Sequence, residues 1–123
     1  MKIIETEKSL LIQIQKNIYS FKIYYENNLL EIQKSFFGLK LSSIKILFDT
    51  FVHYEGENHF YLKNKNQRVS VIYTSDLELD YFQISIDNGL TINISSNSYA
   101  EDIYKKLVEK IIMNELTKLT HIE

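Results

Sequence analysis

The sequence predicts an α+β fold of two antiparallel β-sheet units, each closed by one α-helix (β-β-β-β-α twice). Period-2 hydrophobic alternation runs through most of the chain, as expected of strands with one buried face. Two segments switch to helical spacing. The 123 residues, 45% hydrophobic and 24% charged, suit one globular domain that needs no disulfide or metal staple.

The strands follow in order. Leu10, Ile12 and Ile14 alternate with Leu11, Gln13 and Gln15. Phe21, Ile23 and Tyr25 alternate with Lys22 and Tyr24, and Leu30, Ile32, Lys34 and Phe36 follow the turn at 26–28. In the second half, Phe60 and Leu62 precede a polar loop at 63–68, after which Val69, Val71 and Tyr73 alternate with Ser70 and Ile72. Phe82, Ile84 and Ile86 lead into Asp87-Asn88-Gly89, and Leu90, Ile92 and Ile94 lead out. Asn-Gly between alternating runs predicts a hairpin with a type I′ turn.

The first helical segment is read at Ile44, Leu47, Phe48, Phe51 and Val52, spaced i, i+3, i+4, i+7 and i+8. Ser42 or Ser43 would cap it and Gly56 would stop it. The second begins at Ser98, whose spacing to Glu101 is a capping box, with Asp102 favoured by the helix dipole. Ile103, Leu107, Val108, Ile111 and Ile112 form its apolar face, and it runs to about Leu119. Charge pairs are expected between Glu101 and Lys105 and between Asp102 and Lys106.

Phe21-x-Ile23-x-Tyr25-x-Asn27 matches Phe82-x-Ile84-x-Ile86-x-Asn88. This raises an internal pseudo-repeat with halves at about 1–56 and 57–123; chance similarity between common hairpin sequences is the alternative. No linker composition separates the halves, so residues 1–123 are read as one compact domain.

Composition narrows function. With no Cys and no Pro, there is no thiol nucleophile, Cys-based zinc site or Pro-rich ligand. Gly38, Gly56 and Gly89 are too dispersed for a phosphate-cradling loop. The formal net charge of −2, with Arg68 the one arginine among 14 cations, argues against a dedicated duplex-DNA binder. No signal peptide or spanning segment is evident in the sequence, so a cytoplasmic protein with no membrane partner is expected. The Ile-, Lys- and Asn-rich composition suits a bacterial or phage source. Asn93-Ile94-Ser95 reads as strand sequence, not a glycosylation site.

His53, Glu55, Glu57 and His59 recur every second residue. On one extended face they would suit a transition metal, but Gly56 interrupts them and a hydrophilic turn explains them. No metal, cofactor or catalytic residue is assigned. Asp76, Glu78 and Asp80 form an acidic strip at period 2, suited to a solvated or partner-facing edge. Tyr24 and Tyr61 are expected on outer sheet faces, and Tyr73 in the core.

The expected function is a non-catalytic protein-binding module acting through a sheet face or edge. Asp76, Glu78, Asp80, Tyr24 and Tyr61 are its candidate residues, and a basic protein is the suited partner. In size and style the chain resembles small bacterial inhibitors and immunity proteins. The alternative is single-stranded nucleic-acid binding through Lys22, Lys63, Lys65 and Arg68 with stacking tyrosines. The order of two four-strand-plus-helix units resembles whirly and PUR-like single-strand binders, and that resemblance is what implies such binding.

Overall fold

The computed structural model describes residues 1–75, 80–87, 89–95 and 99–120. Ten strands precede one helix: β1 (Lys2–Glu5), β2 (Ser9–Lys16), β3 (Tyr19–Glu26), β4 (Leu29–Phe36), β5 (Leu39–Leu47), β6 (Thr50–Tyr54), β7 (His59–Lys63), β8 (Arg68–Ser75), β9 (Asp80–Ile86), β10 (Thr91–Ser95) and α1 (Ala100–Thr120). They form two antiparallel five-stranded meanders, β1-β2-β3-β4-β5 and β10-β9-β8-β7-β6.

Tight turns fix the register. Asn27 and Asn28 both take positive φ between β3 and β4, as do Phe37 and Gly38 between β4 and β5, the requirement of a two-residue hairpin whose twist matches its strands. In the first sheet, Ile3, Ile12, Ile23, Ile32 and Ile44 lie opposite one another in a continuous row. The second repeats the device with Phe60, Val71, Ile84 and Ile92. Apart from exposed Ile3, both rows join one buried cluster with Ile103, Leu107 and Ile111 of α1.

The two expected helices reduce to one among the described residues. Segment 39–54 forms β5 and β6 in place of a helix: Ser42 and Ser43 are strand residues, and Gly56 (φ 82°) lies in the β6–β7 turn. Ile44, Ile46 and Phe48 are buried, whereas Leu47 is 65% exposed. A helix would have put Leu47 on the core face with Ile44 and Phe48. Period 2 won because β4 offers an open edge that β5 pairs along its length, and β-branched Ile, Thr and Val suit that pleated surface. β1 also forms, although residues 2–5 carry no strand signal.

The β9–β10 hairpin forms, but not with a type I′ turn at Asn88-Gly89. Asn88 lies outside the described residues and Gly89 has no positive φ. The loop is longer: the Ile86 amide donates to the Leu90 carbonyl and the Gly89 amide to the Ile86 carbonyl, each at 3.0 Å. The two matching sequence stretches fall on β3, the central strand of its sheet, and β9, the strand next to the edge in its own.

Helix α1 spans both sheets. Near its N-terminus, Tyr104 packs against Phe60 (ring centroids 5.7 Å) and Tyr73 (6.3 Å) of the second sheet. Further along, Asn114 Nδ2 donates to the buried Tyr25 hydroxyl of the first at 3.1 Å. The Ser98 cap lies outside the described residues; the Ile103 amide bonds the Tyr99 carbonyl at 2.8 Å. Glu101 pairs with Lys105 at 2.7 Å, while Lys106 reaches Glu5 of β1 at 3.0 Å instead of Asp102. No helix among the described residues is long and apolar enough to cross a membrane.

Lys110 is 8% exposed, and its ammonium donates to Glu5 Oε2 (3.2 Å) and to the carbonyls of Thr6 (2.6 Å) and Glu7 (3.1 Å). A buried cation needs such partners, and these clamp the β1–β2 turn to the helix. Hydrogen bonds from Lys106, then Lys110, hold the Glu5 carboxyl below its ordinary pKa.

Ile46→Lys should therefore unfold the domain by burying an unpaired charge, while Leu47→Lys should shift the thermal midpoint by no more than ~2 °C. Equal, large losses in both would contradict the strand assignment. Because the Glu5 pKa is depressed on folding, its stabilisation is present above its unfolded value and disappears as pH falls through the folded value. Stability of Glu5→Gln, followed by urea melts across the acid range, should fall less than that of the parent below about pH 4.5.

Candidate functional site

Strand alternation decides which side chains leave the core. On the second sheet, Phe60, Leu62, Val69, Val71, Phe82 and Ile84 point inward, so their neighbours project outward. Register places Tyr54, His59, Ile72, Gln83 and Asn93 in one outer row, and Val52, Tyr61, Ser70, Ser85 and Thr91 in the next. Tyr81 extends the surface beside Thr74 and Ser95. The result is a rigid face of aromatic rings set among hydroxyls and amides, most of it half-exposed.

The rings support one another. Tyr54 lies 4.8 Å from His59 and 5.9 Å from Tyr61, centroid to centroid. The Arg68 guanidinium sits 3.9 Å above the Tyr61 ring and 3.7 Å from Asp87, a cation–π contact that fixes the ring. His59 Nε2 is buried without a hydrogen-bond partner.

One end of this face is acidic. Glu55 and Glu57 are exposed in the β6–β7 turn. Asp80 opens β9 and accepts from Ser75 Oγ at 3.1 Å. Antiparallel order puts these groups at the same end of the sheet, since β6 and β8 both run toward it. Asp76 and Glu78, the rest of the expected strip, lie outside the described residues.

The remaining candidates are distributed between the two sheets. Tyr61 stands on the outer face of the second sheet and Tyr24 on that of the first, the latter paired across strands with Leu11 and Glu31. The Tyr24 hydroxyl donates to Glu26, and that bond raises its pKa. Tyr73 is in the core, as its alternation suggested. Lys63, Lys65 and Arg68 gather around the β7–β8 turn beside a shallow depression of about 360 Å³. Lys22 is on the first sheet, 4.0 Å from Glu31, and does not join them.

His53 and His59 do not share a face. His53 lies opposite inward-facing Phe60, while His59 lies opposite Tyr54 on the outer side. Among the described residues, no group of three or more His, Asp or Glu side chains is placed to hold a metal ion. An open groove of about 590 Å³ on the first sheet is lined by Gln13, Gln15, Ser20, Gln33, Ser35 and Lys22, with others. The amides and hydroxyls donate and accept hydrogen bonds, and Lys22 donates.

Sequence reasoning missed Tyr54, His59 and Tyr81 as one surface with Tyr61. The helical spacing of residues 44–52 hides Tyr54, and only the strand register reveals it as the neighbour of His59. No family model, curated protein or solved structure matches this chain.

Proposed function

We propose that the chain is a non-catalytic protein-binding module of the small inhibitor or immunity-protein type, acting in the cytoplasm through the outer face of its second sheet. The observation that carries this reading is the Tyr54–His59–Tyr61 ring cluster, with Tyr81 two strands away on the same face, on a sheet backed by a packed core. Tyrosine gives large contact area at low entropy cost and is enriched in protein interfaces. Ser70, Ser85, Thr91, Gln83 and Asn93 supply hydrogen bonds around it.

Partner chemistry follows from the charge at the rim. Glu55, Glu57 and Asp80 favour a basic protein, because complementary fields speed encounter and exclude like-charged competitors. The nucleic-acid alternative has weaker support. The helix-closed first unit on which the topological resemblance rested is not formed. Arg68 is engaged by Tyr61 and Asp87, and Lys22 lies on the other sheet.

The test is to isolate the partner on immobilised chain from host extract, then measure its binding to variants. Tyr61→Ala should weaken affinity about 30-fold, as a central hot spot does. Glu55→Gln with Glu57→Gln and Asp80→Asn should slow association several-fold while changing dissociation little. Unchanged affinity in all of these, or tight binding of labelled single strands that falls steeply with salt, would contradict the proposal.

A further inference from the structure

We propose that the paired hairpin tips at one end of the first sheet form a peripheral docking device for an anionic membrane surface. The β2–β3 turn (Asn17, Ile18) and the β4–β5 turn (Phe37, Gly38) lie side by side, joined by the Phe37 amide donating to the Ile18 carbonyl at 2.9 Å. Phe37 is 70% exposed and Leu39 72%, with Ile18, Tyr19 and Leu41 exposed beside them. This is the kind of contiguous apolar projection that a monomeric soluble surface seldom carries without a use.

Phe37 is costly where it is. Its φ of 49° is in the left-handed region, and every other described non-glycine residue there is Asn: Asn17, Asn27, Asn28 and Asn58. Asn tolerates that conformation because its short polar side chain bonds locally; Phe has no such compensation. Its ring meets Phe36 edge-on (centroids 4.6 Å), yet most of its surface stays in water, so folding draws little from a bulky ring held in this turn. Strain of this kind marks functional positions.

Charge selects the occupant. Residues 8–25 and 32–48, which make both hairpin tips, contain lysines and no carboxylate. Lys16 leans to the Ser95 carbonyl, Lys34 lies 4.8 Å over the Tyr19 ring, and Lys40 follows Leu39. The acidic groups Glu55, Glu57 and Asp80 belong to the second sheet. An apolar tip collared by lysines matches a bilayer interface: the tip enters the acyl boundary, aromatics sit at headgroup level, and ammonium groups reach the phosphates. The hairpin ladders already satisfy the tip's backbone, so entry would strand few polar groups. Absence of a spanning segment led the sequence reading to exclude a membrane partner; a peripheral tip needs no such segment, and only the folded register assembles it.

The test is co-sedimentation of the full chain with phosphatidylcholine vesicles, with and without about 30% phosphatidylserine, at low and high salt. Binding to the anionic vesicles that weakens with salt is expected. Phe37→Asn, alone and with Leu39→Ser, should lower that affinity at least about ten-fold. Phe37→Asn should keep or raise the melting temperature, because Asn suits the turn. Lys16→Gln with Lys34→Gln and Lys40→Gln should lower the vesicle affinity similarly. Failure of the parent chain to sediment with anionic vesicles, equal binding by the tip variants, or loss of a protein ligand in those variants without any vesicle binding would overturn the proposal.

Discussion

One amphipathic helix has to cover apolar faces from two separate sheets, and the rest of the structure follows from that constraint. Neither meander carries its own roof. α1 answers with a wide buried surface that includes Ala100, Ile103, Tyr104, Leu107, Val108 and Ile111. The Tyr104 ring meets Phe60 and Tyr73 at one end, and Asn114 and Lys110 hold the first sheet further along. The helix must therefore accept polar partners inside the core: the Tyr25 hydroxyl is satisfied, while the Tyr104 hydroxyl is buried without a partner and its pKa is pushed up to about 12 by burial.

With both inner faces and the helix committed to one core, the outer faces are free to differ. The second sheet shows tyrosines and a histidine bounded by carboxylates. The first shows glutamines, serines and lysines, and ends in an apolar tip. Such a division lets a small chain present two surfaces of unlike chemistry from one rigid body.

Strand alternation was legible wherever one face was cleanly apolar, as in Leu10–Ile14 and Val69–Tyr73, and so was α1 from its i, i+4 spacing. Residues 44–52 were not, because Ile44, Leu47, Phe48, Phe51 and Val52 satisfy helical spacing while Ile44, Ile46 and Phe48 satisfy period 2. The arbiter was tertiary: the pairing edge of β4. That error also hid the outer aromatic face, since Tyr54 meets His59 only if β6 is a strand. The four-residue His/Glu pattern dissolved for a related reason, the turn at Gly56 sending its two histidines to opposite faces. Phe37 was visible in sequence as an apolar residue before Gly, but its exposure and positive φ are properties of the folded turn.

The shared core is tested most directly by native-state hydrogen exchange resolved by residue. If α1 ties both sheets together, amides of β3, β8, β9 and the middle of the helix should open with one common free energy and one denaturant dependence. Protection that persists in β2–β4 after the helix and β8–β9 have exchanged would show that the first meander stands without its roof, and would contradict the account.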